Sequence, residues 1–476
     1  MKAILALLLI YFQIVISQQC VDSSDCDVNQ QCIDGICENL LYKSDKCERD
    51  KDCKSYQKCE DGECKHKDLI PIQGIEIVGS IFTVIIIGLS NTAGIGGGPL
   101  NTMILQSFFN FDTYKSIAYT QVAIFGGSLM TIGLKIPSRH PKKDKPLIDY
   151  ELVAFLIAPL LAGTSIGVIF HTIFPDWLTI GLLVALLLYL SYSITKKGIL
   201  SFKKETAISK NALAIDPMIE DKKLETSVLD KDVTEDDKNP ALELILESEK
   251  KIVPPSSVAT IALIYLVVLV ASFMKGGKGM DSIIGITQCG VGYWIFLIFY
   301  FIILMLITYH MGNGLVMATQ KKIDAGYDFD EYDVKWNKKS ASIIAAVSLI
   351  AGIAAGALGI GGGLIMNPFL LYLGNRPEVS TACSNLMILF SSSISFFQYS
   401  IGGIIGISYG LWLFFISLGG SALGFFVIKK IMQKVGRPSI IILVLAFMII
   451  ASLIGISVNG VIAIIEEERY GFAGIC

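Results

Sequence analysis

The chain has 476 residues, 53% hydrophobic and 17% charged, with a formal net charge of −3 and a mean hydropathy of +0.60. Soluble domains carry about 25% charged residues and fewer apolar ones, so this composition excludes a water-soluble globule and points to an all-α polytopic membrane protein. The small net charge gives no reason to expect a nucleic acid or another polyanion as partner. Four histidines and no HExxH leave an intramembrane zinc enzyme without its ligands. We expect no metal, no cofactor and no enzymatic activity.

The N-terminus reads as a signal peptide over residues 1–17. Lys2 precedes the apolar run from Ala3 to Ile16, and small Ser17 follows. The run is shorter than the ~20 residues a spanning helix needs. An uncleaved anchor is the other reading. Residues 18–67 form a small cysteine-rich module: Cys20, Cys26, Cys32 and Cys37 repeat, 27 residues on, as Cys47, Cys53, Cys59 and Cys64. Asp-Gly lies in the last gap of each copy, as turn chemistry requires. Modules this small cannot bury a sufficient core, so disulfides are expected, two per copy, in an oxidising compartment. The spacing leaves their connectivity open. A zinc ribbon is the weaker reading, because no CxxC pair is present.

Apolar stretches long enough to span a membrane occur at about 72–93, 113–136, 148–173, 177–195, 256–274, 291–311, 340–360, 378–401, 405–428 and 438–457. Two shorter apolar pieces, about 99–111 and 364–373, each follow a glycine cluster. The first cluster is Gly94-Ile95-Gly96-Gly97-Gly98-Pro99; the second, 265 residues on, is Gly359-Ile360-Gly361-Gly362-Gly363. A little further, Ala118-Tyr119-Thr120-Gln121 parallels Ala382-Cys383-Ser384-Asn385. Duplication accounts for both, and predicts repeats over 68–195 and 340–465.

Lysine and arginine set the sides. Lys135, Arg139, Lys142, Lys143 and Lys145 flank one short loop; Lys429, Lys430, Lys434 and Arg437 flank another. Both are expected in the cytoplasm, together with a polar linker over 196–255 and a loop over 312–339. Residues 256–311 hold two linking helices, and 466–476 form a tail. If each glycine cluster and its short helix make a hairpin, every basic loop falls inside, the cysteine module falls outside or in a lumen, and the repeats are inverted. Inverted repeats with broken helices belong to transporters. The expected location is the plasma membrane or a membrane of the secretory pathway; the oligomeric state is open.

Glycine allows the dihedrals of a broken helix and lets a solute approach the main chain. The free N–H groups and positive dipole end of a following short helix suit an anion. The candidate substrate-binding residues are therefore Gly94, Gly96, Gly97, Gly98, Gly359, Gly361, Gly362 and Gly363. Neutral hydrogen-bonding side chains nearby, Asn101, Thr120, Gln121, Asn367, Ser384 and Asn385, complete the set. Each of these also fits as glue between helices. Glu76 reads as interfacial or as a proton-coupling carboxylate, Lys115 and Arg376 as interfacial anchors, and Cys383 as a packed thiol.

The duplicated GIGGG-plus-short-helix units, each followed by a small polar segment, resemble the TauE/SafE family of sulfite exporters over about 72–465. The second copy, Gly359 to Pro368, is the closer match; the first departs by placing Pro99 directly after its glycines. The resemblance implies transport of sulfite, sulfonates or other small organic anions, with protons as a candidate coupling ion. The competing reading is a multi-span receptor or adhesion protein that acts through its cysteine-rich module.

Overall fold

The structure is a computed structural model that describes residues 30–33, 36–39, 47, 49–53, 56–60, 63–141, 143–215, 240–277, 280, 282–286, 290–327, 329, 336–435 and 439–466. The expected signal peptide, Cys20, Cys26, both Asp-Gly turns, Lys142, residues 216–239 of the linker and the C-terminal tail beyond Glu466 lie outside these residues. The chain divides into two compact units, Met1–Pro71 and Ile72–Cys476.

In the first unit each cysteine copy yields a two-stranded antiparallel hairpin. Strand β1 (Gln30–Ile33) pairs with β2 (Ile36–Asn39), and β3 (Gln57–Glu60) with β4 (Glu63–His66). Cys32 stands opposite Cys37 and Cys59 opposite Cys64, so the 27-residue offset carries over into register. Two disulfides, Cys47–Cys59 and Cys53–Cys64, tie the second copy. They supply the constraint that a core this small cannot.

The second unit is helical. Its first segment holds α1 (Gly74–Thr92), α2 (Gly98–Phe109), α3 (Thr113–Lys135), α4 (Tyr150–Ile173) and α5 (Asp176–Ile215). Then come α6 (Pro240–Glu249), α7 (Pro255–Lys275) and α8 (Val291–Asp324). The last segment repeats the first pattern: α9 (Lys338–Leu358), α10 (Gly363–Tyr372), α11 (Pro377–Ile401), α12 (Ile407–Val435) and α13 (Ser439–Glu466). Among the described residues, nine helices are long and apolar enough to cross a membrane, and α13 adds the shorter apolar run Ile442–Val458.

Local chemistry explains several starts. Asp112 accepts from Lys115 N at 2.6 Å, Asp149 from Leu152 N at 3.0 Å and Asn337 from Ser340 N at 2.8 Å, each capping the helix that follows. Two helices outrun their apolar stretches. α5 continues from the expected span end near 195 to Ile215, and α8 from near 311 to Asp324. Hydropathy marks the part that can lie in lipid; the lysines and alanines beyond it still favour helix.

Both short pieces form hairpins with the helix before them. The end of α2 returns to the start of α1, where Phe108 packs on Gly79 and the Phe82 and Phe108 rings lie 5.4 Å apart. The end of α10 returns to the start of α9: Asn375 and Arg376 line the same cavity as Trp336.

Contacts between the segments match under their exchange. α4 packs on α9 and α12 on α1; α3 packs on α12 and α11 on α4; α3 meets α11 and α5 meets α13. Small residues allow the closest of these approaches. Gly163 and Gly167 of α4 lie against Gly352 and Gly356 of α9, while Gly420 and Gly424 of α12 lie against Gly88 and its neighbours in α1.

Candidate functional site

The two glycine clusters break their helices with left-handed backbone. Gly94, Gly96 and Gly97 have φ of 77°, 80° and 79°, and Gly359 and Gly361 have 68° and 63°. A side chain would strain these turns. Each break hands over to a short helix whose first N–H groups have no partner inside it.

The clusters meet. A methyl group on Gly98 would fall on Gly359 O and lie 2.6 Å from Ile360 Cα. Ile124 and Ile388, which occupy matched places 264 residues apart, flank both Gly96 and Gly361. All eight candidate glycines are buried, and Asn101, Thr120, Gln121, Asn367, Ser384 and Asn385 expose 1% or less of their surface. Every candidate site residue is thus buried.

The polar side chains hold the broken ends across the join. Asn367 Nδ2 donates to Ala93 O at 2.7 Å, and Ser384 Oγ to Gly94 O at 2.7 Å. In return, Gln121 Nε2 donates to Ala355 O at 2.9 Å. Asn101 Nδ2 stays within its segment and donates to Thr120 Oγ1 at 3.3 Å. These bonds satisfy carbonyls that a helix break frees, an obligation where no water reaches.

Capacity is left over. Neither amide atom of Asn385 has a hydrogen-bond partner, nor do Asn101 Oδ1, Gln121 Oε1, Asn367 Oδ1, or the hydroxyls of Ser90, Ser380 and Thr381. Asn385 stands where Gln121 stands in the other segment and is one methylene shorter. Buried polar groups without partners are uncommon. Of these residues, Ser90 packs on Gly97, and Asn367 and Thr381 pack on Gly94.

Two residues at the breaks escaped the sequence reading. Tyr399 Oη donates to Gly356 O at 2.6 Å, and Lys135 Nζ reaches Thr92 O at 3.4 Å. Lys135 counted in the sequence only as a marker of the cytoplasmic side; nothing local signals that its amine turns inward. Glu76 is buried in the first turn of α1, where its carboxylate accepts from Tyr409 Oη at 2.7 Å and from Gln73 N at 2.9 Å. Lys115 is exposed beside Asp112.

A cavity of about 420 Å³ opens at the end of the bundle where the basic connections gather. Lys145, Asp149, Lys251, Lys322, Trp336 and Arg376 are among its walls. Lys322 pairs with Glu249 at 2.6 Å, and Tyr327 Oη donates to the same carboxylate at 2.9 Å. On one wall Asp149 N donates to the buried Cys383 Sγ at 3.2 Å. Cys383 directly precedes Ser384, whose hydroxyl donates to Gly94 O.

Residues 240–454 match the family described as Sulfite exporter TauE/SafE. The chain is 29% identical over 404 residues to Sulfite exporter TauE/SafE family protein 3 of Arabidopsis thaliana, covering 84% of this chain and 82% of that one. It is 28% identical over 374 residues to family protein 2 of the same plant, covering 77% and 79%, and 26% identical over 393 residues to family protein 1, covering 81% and 83%. No solved structure matches.

Proposed function

We propose, from the similarity to TauE/SafE proteins, that the chain is a member of that family and a secondary transporter of small anions, most of all sulfite, sulfonates or related sulfur-containing anions. On this reading its work is transport rather than catalysis, in a multi-pass protein embedded in the lipid bilayer. The solute binds where the Gly94–Gly98 and Gly359–Gly363 backbones join, with Asn101, Thr120, Gln121, Asn367, Ser384 and Asn385 around it. Segments 68–195 and 340–465 are inverted repeats that rock about the join and expose it to each side in turn. The cysteine module faces outward, and the 420 Å³ cavity is the cytoplasmic vestibule.

One observation carries this reading. Two glycine breaks, one from each repeat, touch at the buried centre and are ringed by polar groups without partners. Helix starts offer N–H groups and a positive dipole end to an anion. Protons are the proposed coupling ion. The test is radiolabelled sulfite and sulfate flux in proteoliposomes, with and without an imposed pH gradient. Gly97→Leu and Gly362→Leu are expected to abolish flux while surface expression persists. Flux that survives both substitutions removes the glycine site.

A further inference from the structure

Lys135 ends α3 and exposes only 7% of its surface. Arg139, four residues on in the same basic cluster, is 44% exposed and paired with Asp144. A buried ammonium is strongly disfavoured unless it is paired and hydrogen-bonded. Lys135 has Thr92 O at 3.4 Å, a long contact for an N–H donor. Among the described residues no carboxylate forms an ion pair with it. The amine is therefore held in the protein interior with little in the protein to compensate a charge on it.

Closing the end of α1 does not account for that charge. Tyr399 lies 264 residues after Lys135, the same offset that relates Ile124 to Ile388 and Gln121 to Asn385. Its hydroxyl closes the end of α9 on Gly356 O at 2.6 Å. The matched position in the second repeat thus does the same job with a neutral donor and a better bond.

The surroundings of Lys135 point to a ligand. Thr92 is two residues before Gly94, whose turn packs against Thr381. The hydroxyls of Thr381 and Ser380 have no hydrogen-bond partner, and neither does the amide of Asn385, in the same helix. In the same helix, the Cys383 thiol accepts from Asp149 N in the cavity wall at 3.2 Å. From these observations we infer that Lys135 Nζ is the fixed cation of the anion site, and that it selects monovalent oxyanions. One ammonium balances one negative charge; a dianion would leave the second charge buried among neutral donors. A sulfonate or a hydrogensulfite fits that balance, and sulfate does not.

This inference rests on the transport reading above, and its test keeps the two apart. The full chain is purified, and sulfite is the probe. Flux into proteoliposomes is measured beside the rise in melting temperature that sulfite causes in detergent. Lys135→Arg is expected to keep a measurable part of both. Lys135→Gln and Lys135→Tyr keep a donor for Thr92 O without the charge. They are expected to lose at least tenfold in flux, together with the sulfite-induced shift, while melting without sulfite stays near wild type. Thr381→Val, which leaves Lys135 in place, is expected to weaken the shift several-fold. Sulfate is expected to compete at least tenfold less well than sulfite. If a neutral variant carries sulfite within twofold of wild type, Lys135 is a helix cap and the inference falls alone. Sulfate competing as well as sulfite overturns the monoanion selection. Wild-type protein that neither moves sulfite nor is stabilised by it overturns the transport reading, and this inference with it.

Discussion

In the first break three glycines, Gly94, Gly96 and Gly97, adopt left-handed φ, and Asn367 and Ser384 from the other segment hold its carbonyls. In the second break Gly359 and Gly361 are left-handed while Gly362, with φ of −53°, is not. There Gln121 reaches across, and Tyr399 closes the helix end from within its own segment. The conserved element of design is the obligation rather than the residue. Main chain that leaves a helix deep in a membrane must find donors and acceptors inside the protein. An amide, a hydroxyl, a phenol or an ammonium can each meet that need. Where the two breaks use different groups, the difference marks what satisfaction of the backbone alone does not require: the charge of Lys135 and the unpaired amide of Asn385.

The largest expected asymmetry is steric. Gly98 and Gly363 start the two short helices at matched positions, but a methyl group at Gly98 meets the backbone of Gly359 and Ile360. At Gly363 it meets Ile388 and, at 2.6 Å, Ser384 Oγ, which are side chains that can turn. Overpacking costs about 1–3 kcal/mol and more where backbone must move. Gly98→Ala is therefore expected to cost more than about 3 kcal/mol and Gly363→Ala about 1 kcal/mol, read as melting in detergent. Equal losses would mean that the join is less tight than its geometry.

Next in size are the donors that cross the join. Asn367→Ala frees Ala93 O, and Gln121→Ala frees Ala355 O. A buried acceptor left alone costs about 1–3 kcal/mol, so both variants are expected to melt lower. Asn367→Ala is expected to lose more, because its bond is shorter and serves the more contorted turn. Asn385→Leu is expected to act in the opposite direction. It replaces an amide with no partner by an apolar group of similar size, which raises stability by about 1–2 kcal/mol while flux falls. Such a trade of stability against activity marks a binding position. Smallest is Tyr399→Phe. It removes one bond to Gly356 O and costs about 1 kcal/mol, with flux preserved, since no charge is lost.

Much of the helical plan was legible from residues taken a few at a time. α1, α3, α4, α7 and α11 begin and end within about two residues of their apolar stretches, because burial in lipid demands a continuous run of apolar residues that hydropathy detects directly. The short helices 98–109 and 363–372 follow their glycines as expected, since a glycine cluster followed by a short apolar run leaves few other conformations. The helical extensions to Ile215 and Asp324 were not legible, because helix propensity outside lipid is a weak signal beside hydropathy. Nor was the inward turn of Lys135, whose neighbours in sequence are the exposed basic residues of a loop.

By itself, then, the sequence determined a membrane-spanning helical chain, two broken helices at matched places and a module tied by disulfides. These depend on composition, periodicity and spacing, which are properties of a segment alone. The tertiary structure decided that Gly98 touches Gly359, that Asn367 and Ser384 serve a turn more than 270 residues away, and that one lysine of a basic loop points into the protein. Such pairings arise only when distant segments pack, because an amide or an ammonium finds its partner through space and carries no record of that partner in its own neighbourhood.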